Sequence, residues 1–114
     1  MKLNTDQIEE FNNTGLLFVE SLFTPTEVEE LNNRLPNILD ERGEQVLRER
    51  GSDSVRSAIA PHLKDELFRR LSLHPRIVEP SRQLLGGDVY LHQFKINAKE
   101  AHNGEIWHWH QDYR

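Results

Sequence analysis

The periodicity of the sequence changes at the glycine pair 86–87, and this change restricts the fold more than any other feature of the chain. Residues 88–100 (DVYLHQFKINAKE) alternate between two faces with a period of two, which is typical of a half-buried strand. Before the glycine pair, apolar residues recur mostly at helical spacing. The sequence therefore predicts one α+β domain over residues 1–114, with a mainly helical part, 1–87, followed by strands in 88–114.

Capping signals mark the first two helices. Asn4 or Thr5 can cap a short helix that ends at Gly15. The segment 24–27 (TPTE) then supplies an N-cap, a proline at the first helical position and a capping-box glutamate. Pro36 is expected to interrupt or kink the second helix.

The remainder of the helical part is a mixture of elements. Residues 16–20 (LLFVE) predict a short buried strand, and residues 37–53 predict a loop with a short helix. A strand is expected over 54–60 (SVRSAIA). Two further helices are expected, one between Pro61 and Pro75 and one from about Pro75 to residue 85, where the glycine pair stops it.

Composition excludes several classes of protein. Of the 114 residues, 36% are hydrophobic and 29% charged, as in ordinary globular domains, and no apolar run approaches the ~20 residues of a membrane span. Residues 1–60 carry 12 acidic against 6 basic side chains, and 61–114 carry 7 against 8, so no basic stripe is available for nucleic acid. The lack of cysteine and of a secretory signal favours a cytoplasmic protein. Oligomeric state is not indicated.

A row of polar side chains lies along one face of the strand predicted over 88–100. After Val89 and Leu91, this face continues with hydrogen-bonding groups. On a surface strand they would simply meet water, whereas in a cleft they would face a ligand. The polar residues of this face are Gln93, Lys95, Asn97 and Lys99, and the opposite face carries Tyr90, His92, Phe94, Ile96 and Ala98.

The motif with the clearest chemistry is His110-x-Asp112. Residues 106–114 (IWHWHQDYR) predict another strand, in which alternation places both side chains on one face. An imidazole and a carboxylate are two of the three ligands in a 2-His-1-carboxylate site for non-haem iron. A bare H-x-D motif also occurs by chance as surface side chains. His108 shares the same face, so a metal site built on His108 and His110 is an alternative.

The two terminal segments together resemble the phytanoyl-CoA dioxygenase family. The patterns are HQFKINAK (92–99) and WHWHQDY (107–113), and the opening GLLFVE followed by TPTEVEEL also fits. Within the family, the chain is most similar to bacterial hydroxylases of amino acids and ectoine. The resemblance implies helices outside a double-stranded β-helix core, a cupin-like jelly roll whose first strands end this chain.

The same resemblance implies an oxidoreductase that hydroxylates an unactivated C–H bond using Fe(II), 2-oxoglutarate and dioxygen. His110 and Asp112 would be the iron ligands. Gln93 would contact the substrate, a small molecule such as a free amino acid or similar zwitterion. The 2-oxoglutarate carboxylates would be bound by Lys95, Asn97 or Lys99.

The family's distal histidine ligand and its 2-oxoglutarate-binding arginine would both fall after Arg114. The chain alone is therefore expected to be an incomplete, inactive fragment. Two other functions fit the sequence. One is a cupin-like metal-binding protein using His108 and His110. The other is a non-enzymatic helical module whose terminal strand pairs with a partner through its exposed edge.

Overall fold

Four α-helices and a three-stranded sheet form the described part of the chain, residues 1–99, 101 and 106–110, in this computed structural model. No helix in these residues is both long and apolar enough to cross a membrane. In chain order the elements are α1 (Thr5–Thr14), α2 (Pro25–Leu39), β1 (Val46–Arg48), β2 (Val55–Ile59), a 3-10 turn (Pro61–Leu63), α3 (Glu66–Ser72), α4 (Pro75–Leu85) and β3 (Lys95–Asn97).

The predicted caps of the first two helices are confirmed. The side chain of Asn4 accepts a hydrogen bond from the N–H of Gln7, and Gly15 ends α1 with a φ of 73°, a conformation that glycine adopts without strain. Thr24 and Glu27 form a reciprocal capping box at the start of α2. These local signals were sufficient because each cap depends only on residues within one turn.

Of the two outcomes expected for Pro36, an interruption or a kink of α2, the interruption is wrong, because the helix continues to Leu39. A proline removes only one N–H from a helix, and its carbonyl still accepts a 2.9 Å hydrogen bond from the N–H of Asp40. Leu35 and Ile38, on either side of Pro36, pack into the core. This tertiary packing holds the helix together across the proline.

The strand predicted over 54–60 is confirmed as β2, which is the central strand of an antiparallel sheet in the order β1-β2-β3. The loop predicted within 37–53 is present over 40–45 and 49–53, but the only helical residues there are the end of α2, and strand β1 (Val46–Arg48) was not predicted. Two of the three strands thus come from residues before 88. The sheet begins much earlier than the change in periodicity indicated.

Three other strand predictions need correction. Residues 16–19 form no strand, although Leu17 and Val19 are half-buried and lie near Ile77 of α4. The strand predicted over 88–100 is much shorter, since only Lys95–Asn97 pair with β2. Residues 106–110 are not in a strand, and 111–114 lie outside the described residues. Exposed and half-buried side chains alternate over 16–19 and 93–99, but not over 106–110, where Trp109 is exposed like the histidines beside it. Main-chain pairing also requires a neighbouring strand, which sequence periodicity cannot reveal.

The hydrophobic core lies between the sheet and helices α2 and α3. Opposed residues Val46, Ala58 and Ile96 provide the sheet side of this core. The ring of Phe68 lies 6.0 Å from that of Phe94, which fixes the residues just before β3 against α3. Further core side chains are Leu31, Leu35, Ile38, Leu39, Val55 and Leu71.

Two ion pairs fasten the helices to one another. Buried Asp65 caps α3 by accepting hydrogen bonds from the N–H groups of Leu67 and Phe68, and it also pairs with Arg34 of α2. Arg76 of α4 pairs with Glu27 of α2. The helical layer is therefore a fixed support for the sheet that carries the candidate site.

Candidate metal and cosubstrate site

The polar row along β3 is arranged as the sequence predicts. From residue 93 to residue 99 exposed and half-buried side chains alternate without interruption, and Phe94 and Ile96 pack against the core. The side chains on the other face are all exposed: Gln93, Lys95, Asn97 and Lys99. This face of the sheet can therefore offer amide and ammonium donors to a ligand.

Asn97 is held by a neighbouring strand. Its cross-strand partner is Ser57 of β2, which is 6% exposed and donates a 3.0 Å hydrogen bond to Asn97 Oδ1. Because this hydrogen bond holds the amide oxygen toward Ser57, the N–H₂ group of Asn97 is the donor that a ligand of this face can meet. An oriented N–H₂ group suits a carboxylate.

Lys95 and Lys99 occupy different surroundings. Lys95 lies within β3, opposite Ile59 and two residues from Asn97. Lys99 lies beyond the strand, where it borders a hollow between the end of α2 and the sheet, together with Asp40 and Asp53. Lys95 is thus the lysine that shares a regular strand face with Asn97.

A β-bulge interrupts the pairing of β1 with β2 at Arg56. Leu47 lies opposite Ser57 and Arg48 opposite Val55, so Arg56 is an extra residue in β2. Val55 and Ala58 both pack against the core although they are three residues apart. The bulge therefore breaks the alternation and turns the Arg56 side chain out of the core.

Arg56 connects the sheet to the segment that carries the histidines. Its guanidinium lies 5.1 Å from the ring centroid of half-buried Trp107, within the range of a cation–π contact. Its Nη1 also lies 3.3 Å from Oε2 of Glu49, whose side chain is 3% exposed. The main-chain oxygen of Arg56 accepts a 3.0 Å hydrogen bond from the N–H of Ala98, next to Asn97.

Segment 106–110 presents its histidines to the surface. Trp107 is half-buried, whereas His108 and His110 are exposed. The Nδ1 atom of His110 lies 2.7 Å from the main-chain oxygen of His108. A carbonyl oxygen can only accept, so Nδ1 must carry the proton, and in the neutral ring Nε2 then carries the lone pair that a metal ion requires. Metal-binding histidines commonly have this arrangement.

The other predicted ligand, Asp112, lies outside the described residues. Among residues 1–99, 101 and 106–110, no three histidine, aspartate or glutamate side chains come together. The donor set indicated by the sequence is one imidazole and one carboxylate, a combination that suits Fe(II). The tautomer of His110 fits this role.

Sequence reasoning did not identify Arg56, Glu49 or Ser57 as functional residues. Arg56 is the one charged residue in segment 54–60, and that was the available signal for it. No local pattern could indicate Glu49 or Ser57, because their partners lie 7 and 40 residues away.

The sequence profile of the phytanoyl-CoA dioxygenase family matches residues 11–114, nearly the entire chain. This chain belongs to the phytanoyl-CoA dioxygenase family. The assignment confirms the resemblance carried by the segments 92–99 and 107–113. Both lie within the matched region.

Curated relatives of this family are hydroxylases and dioxygenases of small molecules by name. The L-proline trans-4-hydroxylase of Streptomyces griseoviridis is 39% identical over 103 residues, which cover 90% of this chain and 38% of that protein. The ectoine dioxygenase of Bordetella parapertussis is 35% identical over 117 residues, covering 97% and 37% respectively. The chain thus spans less than two fifths of the length of these relatives.

Solved structures of EctD from S. alaskensis share the fold. The structure with bound Fe has a TM-score of 0.88 at 28% identity, covering 96% of this chain and 41% of that one. The structure with 2-oxoglutarate and 5-hydroxyectoine has a TM-score of 0.77 at 27% identity, covering 83% and 35%. The helices and three-stranded antiparallel sheet described above are therefore an arrangement found in an iron-binding member of this group.

Proposed function

We propose that this chain contributes the first part of an Fe(II)- and 2-oxoglutarate-dependent hydroxylase with a jelly-roll core. The supporting observation is that β2 joins the two segments with predicted roles. The main chain of Arg56 is hydrogen-bonded to Ala98, beside Asn97, and its side chain contacts Trp107, beside His108. The polar row and the histidine segment are thereby attached to the same strand.

In this proposal His110 and Asp112 bind the iron through one nitrogen and one carboxylate oxygen. Iron supplies the centre at which dioxygen and 2-oxoglutarate react, as in hydroxylases with two histidine ligands and one carboxylate. The role of the chain is to hold His110 as the Nδ1–H tautomer, with Nε2 as the donor atom. The hydrogen bond from Nδ1 to the main chain of His108 supports that role.

Asn97 and Lys95 bind the carboxylates of 2-oxoglutarate in this proposal. Asn97 offers an N–H₂ group oriented by Ser57, and Lys95 offers an ammonium group on the same strand face. Hydrogen bonds between charged partners are about twice as strong as neutral ones, so a dianionic cosubstrate benefits from a lysine here. Lys99 is the alternative cation, but it borders the hollow beside Asp40 and Asp53.

Gln93 is the proposed substrate contact, and a small zwitterion such as a free amino acid is the proposed substrate. Gln93 is exposed on the same face as Lys95 and Asn97. Its amide can both donate and accept, as recognition of an ammonium and a carboxylate requires. The names of the proline and ectoine relatives favour this substrate class.

Titration of Fe(II) into the complete protein, without oxygen, tests this function. The parent should bind one equivalent, and His110→Ala and Asp112→Ala should each lose most of the affinity. The variant His108→Ala separates the two metal hypotheses. Near-normal binding in this variant supports ligation by His110 and Asp112, whereas complete loss supports the cupin-like site of His108 and His110. A parent that binds no iron contradicts the proposed function.

A further inference from the structure

Arg56 is placed where it can control the position of the histidine segment. It lies on β2, which is anchored in the core through its neighbours Val55 and Ala58. Segment 106–110, in contrast, is not part of the sheet. The guanidinium of Arg56 connects the sheet to this segment, since it lies over the ring of Trp107, 5.1 Å from the ring centroid.

We propose that Arg56 is a positioning residue for the metal site, which fixes Trp107 and thereby the His110 imidazole three residues further along the chain. This inference rests on the proposed function, since it assumes that His110 binds metal. Arg56 itself touches neither metal nor substrate in this role.

The buried carboxylate of Glu49 orients the Arg56 guanidinium for its contact with the Trp107 ring. The carboxylate of Glu49 is 3% exposed and lies 3.3 Å from Nη1 of Arg56. A guanidinium is planar, so a hydrogen bond from its edge to a fixed carboxylate leaves a flat face for stacking on an indole. Lysine has the charge without the plane, and it cannot make both contacts in the same way.

The β-bulge explains how an arginine is accommodated at position 56 of β2 without disturbing the core. Without the extra residue, alternation along β2 would put residue 56 on the same face as buried Ala58. With the extra residue of the bulge, Val55 and Ala58 both remain in the core, and the side chain of Arg56 is directed toward Trp107. Bulges often redirect a side chain beside a functional site.

The test is a double-mutant cycle on metal affinity in the complete protein, with Co(II) as a coloured probe and without cosubstrate or turnover. Arg56→Gln and Trp107→Leu should each weaken Co(II) binding about tenfold, the lower end of losses seen when groups supporting a metal ligand are removed. The double variant should be no more than slightly weaker than either single variant, because both remove the same contact.

Conservative variants separate positioning from general stability. Trp107→Phe keeps an aromatic face and should restore Co(II) affinity to within about threefold of the parent, whereas Arg56→Lys should remain weak. Arg42→Gln is the matched control, since Arg42 pairs with exposed Asp53 at 2.6 Å and should leave Co(II) binding unchanged. Thermal unfolding without metal provides the measure of stability for every variant.

Two results would overturn the positioning role while leaving the proposed function intact. One is parent-like Co(II) affinity in both Arg56→Gln and Arg56→Lys, even if they unfold at lower temperature. The other is a double variant whose loss equals the product of the single losses. A parent that binds neither Co(II) nor Fe(II) would overturn both the proposed function and this inference.

Discussion

The hydroxyl of buried Ser57 donates a 3.0 Å hydrogen bond to the side-chain oxygen of exposed Asn97, across the pair β2–β3. The serine is enclosed by the sheet, so it can hold the asparagine amide in one orientation. That orientation presents N–H₂ away from β2, toward any ligand of the polar face.

This relationship predicts that Asn97→Ala and Ser57→Ala both raise the 2-oxoglutarate requirement of the complete enzyme. Losing Asn97 removes a hydrogen bond to a charged group, about 1.5–3 kcal/mol or roughly tenfold to a hundredfold. Losing Ser57 only releases the amide and should cost about 1 kcal/mol. The measurement is the 2-oxoglutarate concentration dependence of succinate formation. Ser72→Ala, on α3, is the matched control, and an unchanged requirement in both sheet variants would show that this face does not bind the cosubstrate.

Asp112→Ala should abolish hydroxylation and leave the fold intact, because water replaces the bond but not the negative charge that offsets Fe(II). Asp112→Glu should also lose most activity, since one added methylene moves the oxygen by more than the ~0.5 Å that a preorganised site tolerates. Both positions of the comparison, Asp112 and its control Glu105, lie outside the described residues. Product formation and circular dichroism provide the two measurements. Full activity in Asp112→Ala, with Glu105→Ala also active, would remove Asp112 from the metal site.

Asp65→Ala should destabilise the protein by about 2 kcal/mol, because it removes the cap of α3 and the partner of Arg34 together. Burial by itself raises the pKa of Asp65, but the hydrogen bonds from Arg34 and the N–H of Phe68 outweigh this and lower it overall. Urea unfolding gives the free energy directly. Asp53→Ala is the control, since Asp53 pairs with Arg42 on the open surface and should cost at most about 0.5 kcal/mol. Equal costs for the two variants would contradict the structural role of Asp65.

Glu27 should make the stability of the protein sensitive to acid. The hydrogen bond from Arg76, with a second from the N–H of Thr24, lowers the pKa of Glu27 from 4.5 to about 2. A lowered carboxyl pKa stabilises the fold fully above pH 4.5, and this contribution is lost as the pH falls toward 2. The stability difference between the parent and Glu27→Gln should thus be largest near pH 7 and shrink below pH 4.5.

Urea unfolding at pH 7, 4 and 3 measures this difference, with exposed Glu29→Gln on the same helix as the control. A difference for Glu27→Gln that stays constant over that range would mean that Arg76 does not favour the ionised carboxylate.

The proposed substrate class predicts turnover with free amino acids or similar zwitterions in preference to acyl thioesters. The reason is the small amide group of Gln93 on the polar face, together with the names of the related hydroxylases. A screen of both classes with the complete enzyme, read by succinate formation, tests it. Turnover confined to thioesters would reverse the substrate assignment and leave the metal site unaffected.

Local signals predicted the helices well and the sheet poorly. The caps at Asn4 and Thr24, the helix from Pro75 and the alternation over 93–99 all depend on neighbours in sequence, and all are present. Strand β1 was missed because its three residues acquire their conformation only by pairing with β2. Segment 16–20 was predicted as a buried strand because it is apolar, but Leu16 and Phe18 are exposed and only Leu17 and Val19 lie near helix α4.

In the candidate site, too, features that depend on neighbours in sequence were predictable, and contacts between distant residues were not. The polar row was predictable because successive side chains of a strand point to opposite faces, so the sequence of the strand alone indicates which residues share a face. The links from Arg56 to Trp107 and from Ser57 to Asn97 join residues 51 and 40 positions apart. A single sequence has no pattern that pairs such residues, so the supporting contacts became visible only in three dimensions.

The extra residue at Arg56 also sets how much length variation this region can tolerate. Deleting Arg56 would restore regular pairing with β1 and keep Val55 and Ala58 on one face, but it would remove the side chain that contacts Trp107. The turn between β1 and β2 has no such restriction, since residues 50–53 are exposed. Among natural variants of this domain, insertions and deletions should therefore accumulate in that turn and spare the four residues 55–58.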